Sequence, residues 1–187
     1  MSEGPEPPST GSHPRRRVAL AGNPNVGKSS LFNQLTGSHQ HVANWPGKTV
    51  ERHAGTCRIG SIEVELVDLP GTYSLAGLSP EERVAGEVLI DPELDAVVVV
   101  LDSTNLERNL YLAAQVAELG RPMVVVCNMA DAADRDGFVI DDRALSRAMR
   151  APVVRTVARS GAGLDQLRSA ILRAAAPSGH RSVGGAR

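Results

Sequence analysis

The stretch Gly22-Asn23-Pro24-Asn25-Val26-Gly27-Lys28-Ser29 decides the fold, because it matches G-x-x-x-x-G-K-[ST] between an apolar run and a helix-like segment. Its glycines permit a backbone path whose N–H groups turn toward a phosphate, and the following helix adds the positive end of its dipole. Lys28 is expected to reach the β and γ phosphates, and the Ser29 hydroxyl to ligate Mg²⁺. The alternative is a Gly-rich strand–helix turn without a ligand.

Outward from this loop, short β-branched runs alternate with helix-length amphipathic segments. Such alternation predicts an α/β fold, with a mainly parallel six-stranded sheet and helices on both faces. The expected strands are 18–21, 50–59, 63–68, 96–102, 123–128 and 153–156, and the expected helices 28–36, 81–90, 106–119, 142–149 and 164–174. Strand 50–59 should pair antiparallel with 63–68 through Gly60-Ser61. In such sheets ligands bind beyond the carboxyl ends of the strands.

Composition limits the classes of function. The chain has 187 residues, 42% of them hydrophobic and 22% charged, which suits one globular domain. A net charge of −1 gives no basic field for nucleic acid, so no nucleic-acid partner is expected. Its two cysteines lack C-x-x-C spacing, which argues against a zinc site or a disulfide framework. The longest apolar run, 96–101, is too short to span a membrane, and a cytoplasmic location is predicted.

Both ends of the chain differ in composition from the rest. Residues 1–14 are rich in Pro, Gly, Ser and Glu, and residues 177–187 are similarly small and polar. Both are predicted to be disordered tails, with the folded domain at 15–176. The first segment has no apolar core, so no signal peptide is expected.

A second motif, Asp68-Leu69-Pro70-Gly71, follows the expected strand 63–68. A carboxylate at a strand end can hold a Mg²⁺-bound water, and the Gly71 N–H can reach a γ-phosphate. D-x-x-G also occurs in ordinary turns, but its place about 40 residues after the first motif, the phosphate loop at residues 22–29, favours the nucleotide interpretation. Thr49, in the polar segment between them, is the natural second hydroxyl ligand for Mg²⁺.

A third motif, Asn128-Met129-Ala130-Asp131, follows the expected strand 123–128. A carboxylate at Asp131 can accept hydrogen bonds from guanine N1–H and the exocyclic amine, a donor pair that adenine lacks. An isolated N-x-x-D is more often a helix N-cap. As the third member of an ordered series, it predicts selection of GTP.

The order of these motifs resembles the TRAFAC GTPases, and the detail is similar to the cytosolic G domain of the FeoB ferrous-iron transporter family. The similar segments are GNPNVGKSSLFNQLTG, ANWPGKTVE, DLPGTYSL, DSTNLERNLYLAAQVAELG and NMAD, within about residues 16–173. The resemblance implies a Mg²⁺-dependent, K⁺-activated switch that hydrolyses GTP to GDP and serves iron transport. It also implies, as partners, a helical regulatory domain and a membrane-spanning permease, and hence the cytosolic face of the membrane.

The resemblance also assigns individual residues. Lys28, Asn25, Thr49 and Gly71 are expected to act in catalysis, and Ser29, Thr49 and Asp68 (through water) to hold Mg²⁺. Asn25 looks like the K⁺-binding asparagine of potassium-activated relatives, with backbone carbonyls near Ala43 and Trp45 completing that site. The expected nucleotide contacts are Gly22, Asn23, Pro24, Asn25, Val26, Gly27, Lys28, Ser29, Ser30, Gly47, Lys48, Thr49, Asp68, Leu69, Pro70, Gly71, Asn128, Met129, Asp131, Val157, Ala158 and Arg159.

One residue departs from the family's pattern, and two other functions stay open. Ala158 stands where the family commonly has Ser, which removes a side-chain contact near the base while leaving the backbone N–H groups. One alternative is an assembly GTPase acting on RNA or ribosomes, although the chain carries no basic appendage. The other is a nucleotide-binding module that does not hydrolyse, because no obvious catalytic base is present. His39, His41 and His53 are expected to be exposed loop residues.

Overall fold

The computed structural model describes residues 15–37 and 39–176, so the predicted tails at 1–14 and 177–187 lie outside the described residues. Seven strands and six helices follow one another in this part of the chain. They are β1 (Arg15–Gly22), α1 (Lys28–Thr36), β2 (Gln40–Asn44), β3 (Glu51–Ile59), β4 (Ile62–Asp68), α2 (Pro80–Ile90), β5 (Ala96–Asp102), α3 (Leu106–Glu118), β6 (Met123–Asn128), α4 (Ala130–Arg135), α5 (Asp142–Met149), β7 (Val153–Arg155) and α6 (Leu164–Ala174).

The strands form one sheet in the order β2-β3-β4-β1-β5-β6-β7. β1 is parallel to both β4 and β5, and β6 and β7 continue the parallel part. β3 runs antiparallel to β4, with Ile59 opposite Ile62 across the Gly60-Ser61 turn. The predicted fold class is confirmed, and so is this antiparallel pairing.

The sheet has seven strands, where the sequence predicted six. The additional strand, β2, lies at the sheet edge and pairs antiparallel with β3. All five of its side chains are exposed, so it carries no alternation of apolar and polar residues. Its pairing rests on backbone hydrogen bonds, which leave no signal in the pattern of side chains.

Helices cover both faces of the sheet and bury two apolar clusters. The first cluster lies under α1 and α6, and the second under α2, α3 and α5. β5 is buried on both faces from Ala96 to Leu101, as expected of a central parallel strand. Each fully buried Val or Leu side chain contributes about 1.5–3 kcal/mol. These clusters hold the carboxyl ends of β1, β4, β5 and β6 side by side, where the motif residues lie. No helix in the described ranges has the length and apolar character needed to cross a bilayer.

Candidate nucleotide-binding site

The phosphate loop joins the end of β1 to the start of α1 along a path that needs left-handed backbone. Asn25 has a φ of 66° and Gly27 a φ of 85°. A Cβ at Gly22 would lie 2.6 Å from the Val100 carbonyl oxygen, so this close approach also requires glycine. No side chain caps α1 at Gly27. The N–H groups of the first helical turn are therefore free to bind an anion.

Lys28, Ser29 and Asp68 form a compact polar cluster beside this loop. Lys28 Nζ lies 2.7 Å from Asp68 Oδ1, and the Ser29 hydroxyl donates to Asp68 Oδ2 at 3.3 Å. Lys28 and Asp68 are 9% and 7% exposed, so this is a buried ion pair. The pairing arises because β4, which ends in Asp68, lies next to β1. A hydroxyl beside a carboxylate is a donor set of hard oxygens, which fits Mg²⁺.

The segment after Asp68 lies against the phosphate loop. The Thr72 N–H donates to the Gly22 carbonyl at 3.3 Å. A Cβ at Gly71 would lie 3.1 Å from both N and Cα of Pro24, so glycine permits the close approach of the two segments. The Leu69 side chain turns away and is buried in the second cluster. The structure thus brings the first and second motifs into contact.

Two adjoining cavities follow the motifs. The first, about 560 Å³, is lined by Asn23, Pro24, Asn25, Gly27, Lys28, Ser29, Ser30, Gly71 and Met129. The second, about 220 Å³, is lined by Gly27, Ser30, Asn128, Met129, Asp131, Ala132, Arg135, Val157, Ala158 and Arg159. They share Gly27, Ser30 and Met129, so they are two halves of one depression. A larger cavity of about 670 Å³ between the ends of α3 and α5 contains no motif residue, and we do not assign the nucleotide to it.

Asn128 links the third motif to the first. This side chain is 2% exposed, and its Nδ2 donates to the Val26 carbonyl at 2.9 Å. Its Oδ1 accepts from the Thr156 hydroxyl and from the Ala158 N–H, both at 3.0 Å. A Cβ at Gly27 would collide with Asn128 Nδ2. Asn128 therefore fixes the phosphate loop and the loop at 157–159 relative to each other.

Asp131 and Arg135 stand one helical turn apart on α4, and both line the smaller cavity. Both side chains are exposed. Arg135 was not among the residues predicted from sequence. The i, i+4 spacing from Asp131 would have indicated it, had the short helix α4 been recognised.

The residues predicted between α1 and β3 lie away from the two cavities. Thr49 is an exposed residue in a bend, and Ala43 belongs to the exposed strand β2. Trp45 packs against the second cluster, and its carbonyl accepts the Lys48 N–H at 3.0 Å. Lys48 Nζ lies 2.6 Å from Glu87 Oε2 on α2. Gly47 is exposed in the same turn, and none of these residues lines either cavity.

Some of the other predicted contact residues have side chains that pack or bond within the protein. The Val26 side chain is buried in the first cluster, and Asn23 Nδ2 donates to the Arg108 carbonyl at 3.4 Å. Pro70 follows Leu69 at the edge of the phosphate loop and is half-buried. Within residues 15–37 and 39–176, no group of three His, Cys, Asp or Glu side chains is placed to hold a metal.

The sequence matches a known family and its curated members. Residues 16–171 match the family model described as ferrous iron transport protein B. A relative from Porphyromonas gingivalis, an Fe(2+) transport protein A/Fe(2+) transporter FeoB fusion protein, is 48% identical over 81% of this chain and 18% of its own length. The Fe(2+) transporter FeoB of Escherichia coli K12 is 46% identical over 83% of this chain and 21% of its own length. The chain spans about a fifth of the length of these relatives.

Solved structures indicate the same family, and this chain covers a larger share of each of them than of the curated relatives. The G domain of the T. maritima FeoB iron transporter superposes with a TM-score of 0.80 at 41% identity, covering 86% of this chain and 99% of that one. An S. thermophilus NFeoB variant bound to mGDP gives 0.79 at 45% identity, covering 83% of this chain and 60% of that one. The chain therefore belongs to the ferrous iron transport protein B family, as a nucleotide-binding domain of the P-loop GTPase type.

Proposed function

We propose that this chain binds GTP with Mg²⁺ and hydrolyses it as a conformational switch. The observation that carries the proposal is one continuous depression with two chemically different ends. Lys28 and Ser29 line the phosphate end, with Asp68 bonded to both, while Asn128 and Asp131 line the other end. A nucleoside triphosphate has the matching division into a polyanion and a base.

Guanine selection follows from the chemistry of the smaller half. Asp131 offers carboxylate oxygens to a donor pair, and Ala158, whose N–H donates to Asn128 Oδ1, lines the same half of the depression. Adenine has no N1–H at neutral pH and would not offer this carboxylate the donor pair that guanine offers. Solved S. thermophilus relatives bound to GDP and mGDP support this assignment.

At the phosphate end, the loop N–H groups and the Lys28 ammonium stabilise negative charge on the phosphates. Ser29 and Thr49 would be direct ligands of Mg²⁺, and Asp68 would hold the ion through water. When bound, Mg²⁺ neutralises charge on the β and γ phosphate oxygens. Gly71 carries the N–H that is expected to contact the γ-phosphate, and it already lies against Pro24.

The attacking water cannot be oriented here by the residue that orients it in Ras-like enzymes. Those enzymes place a Gln after D-x-x-G to orient the water. Here the residue is Thr72, which is 5% exposed and whose N–H is bonded to the Gly22 carbonyl. We propose that Asn25 and the carbonyls of Ala43 and Trp45 hold a K⁺, whose charge offsets charge developing between the β and γ phosphates.

This proposal requires the segment 39–50 to rearrange. Thr49, Ala43 and Trp45 line neither cavity in the present arrangement, in which Lys48 is paired with Glu87. GTP binding would draw the segment toward the phosphates, as in switches that respond to a γ-phosphate. Because the family serves ferrous iron transport, we propose that this movement signals to a helical regulatory domain and a membrane permease at the cytosolic face of the membrane.

The test is phosphate release from GTP with K⁺ or Na⁺ at constant ionic strength. K⁺ should raise kcat at least several-fold, on the order of 1–2 kcal/mol of transition-state stabilisation. Asn25→Ala should abolish the K⁺ effect and leave GDP affinity nearly unchanged. The matched control is Asn105→Ala, which changes an exposed asparagine before α3 whose side chain caps no helix N–H. GTP binding without phosphate release in either salt would contradict hydrolysis and favour a nucleotide-binding module.

A further inference from the structure

Two neighbouring residues of the phosphate loop contact two different elements. Asn23 is 3% exposed, and its Nδ2 donates to the Arg108 carbonyl in the first turn of α3 at 3.4 Å. Pro24 lies against Gly71, where a Cβ would be 3.1 Å from the proline N and Cα. The loop therefore has one contact with α3 and another with the segment that follows β4.

These two elements are also in contact with each other. The Arg108 guanidinium lies over the Tyr73 ring, 4.5 Å from its centroid. Tyr73 is two residues beyond Gly71 and is 44% exposed. Guanidinium groups at this distance are attracted to the negative face of an aromatic ring. The phosphate loop, α3 and the segment from Gly71 to Tyr73 are therefore each in contact with the other two.

Of these three elements, the start of α3 is fixed in place by hydrogen bonds of a buried asparagine. Asn109 is 3% exposed, its Oδ1 accepts the Asp102 N–H at 3.5 Å, and its Nδ2 donates to the Asn105 carbonyl at 2.7 Å. These bonds tie the start of α3 to the end of β5. Arg108 is therefore presented to Tyr73 from a fixed turn, while the segment 71–78 is a loop without helix or strand.

We propose that Arg108 is a positioning residue for the nucleotide reaction, acting through Tyr73 to hold the Gly71 N–H against the phosphate loop. This inference rests on the proposed GTPase function. It extends that function to a residue outside both cavities, since Arg108 lines neither of them. Its effect should fall on states that contain a γ-phosphate, because Gly71 has no expected contact with GDP.

The experiment is a double-mutant cycle with Arg108→Ala and Tyr73→Leu, separately and together. Three quantities are measured: kcat for GTP, the Kd for GDP, and the Kd for a non-hydrolysable GTP analogue. Each single variant should lower kcat and analogue affinity by about two- to fivefold, the range of a partly exposed cation–π pair. The double variant should lose no more than either single variant. GDP affinity should stay within experimental error.

Two further variants distinguish positioning from a general structural role. Tyr73→Phe keeps the ring face and should retain wild-type kcat. Tyr111→Leu changes a tyrosine one turn along α3 that is 62% exposed, and it should also have no effect. Thermal unfolding midpoints, measured for all variants, identify any that fail to fold.

Three results would overturn the inference. They are single-variant effects that multiply in the double variant, an equal fall in GDP affinity and kcat, and a loss in Tyr111→Leu as large as in Tyr73→Leu. If the wild type binds the analogue but releases no phosphate, the proposed hydrolysis is wrong. The inference is still decided in that case, because the ratio of analogue to GDP affinity depends on the same contacts of Arg108, Tyr73 and Gly71. Absence of guanine-nucleotide binding by the wild type would overturn both proposals.

Discussion

Replacing Asn128 with alanine should destabilise the protein even without nucleotide. The change removes one donated and two accepted hydrogen bonds, of 2.9, 3.0 and 3.0 Å. The Val26 carbonyl, the Thr156 hydroxyl and the Ala158 N–H would be left in a region where Asn128 itself is 2% exposed. A buried polar group without a partner costs about 1–3 kcal/mol, and relaxation or water recovers part of that cost. We expect a loss of about 2–4 kcal/mol, or roughly 5–15 °C in Tm.

The assay is thermal and urea unfolding of the nucleotide-free chain, which separates stability from binding. Thr156→Val removes one of the three bonds and should lose about 1 kcal/mol. Asp131→Ala is the matched control, because this exposed residue lines the same cavity and should lose guanine affinity with little change in Tm. Asn128→Ala unfolding at the wild-type midpoint, with nucleotide binding lost, would refute the reasoning and leave Asn128 only a base contact.

Three other changes test the site and the core. Asp131→Asn should weaken GTP binding and shift preference toward xanthosine triphosphate, whose 2-oxo group accepts a hydrogen bond. Equal binding of GTP and ATP by the wild type would contradict the guanine assignment. Thr49→Ala should cut hydrolysis and leave GDP binding nearly intact, because Thr49 lies outside both cavities in the present arrangement; equal losses would indicate a folding defect. Burial, with a smaller contribution from Asp142, raises the pKa of the Cys127 thiol from its usual 9.0 to about 12. The protonated thiol therefore contributes stability that is complete below pH 9.0 and is lost as pH rises toward 12. Between these pH values, the unfolding free energy of the wild type should fall more steeply than that of Cys127→Ala. Parallel slopes for the two proteins would contradict this.

The sequence predicted those parts of the fold whose signal is local. Apolar runs such as 96–101 identify buried strands, because a strand covered on both faces has no polar side. The meeting of Lys28 with Asp68 follows from motif order, since both stand at the same edge of a parallel sheet. β2 escaped prediction because its five side chains are all exposed.

Apart from the meeting of Lys28 with Asp68, contacts between distant segments could not be read from the sequence. The bond from Asn128 to the Val26 carbonyl joins positions 102 residues apart, and it depends on the path of the loop backbone. The placement of residues 39–50 is set by Trp45 on the second cluster and by the Lys48–Glu87 ion pair. Neither contact has a local pattern, because each depends on which surface the sheet brings beneath the segment.

Trp45 gives the chain an internal optical probe. It is the single tryptophan in the sequence, and it lies between β2 and β3, in the segment that the proposed switch must move. Its indole N–H is buried without a hydrogen-bond partner in the described part of the chain, and the Arg52 guanidinium lies 5.3 Å from its ring centroid. Indole emission depends on solvation and on nearby charge. All tryptophan fluorescence of this chain therefore originates in one segment, and its rearrangement can be timed after mixing with nucleotide, without any label.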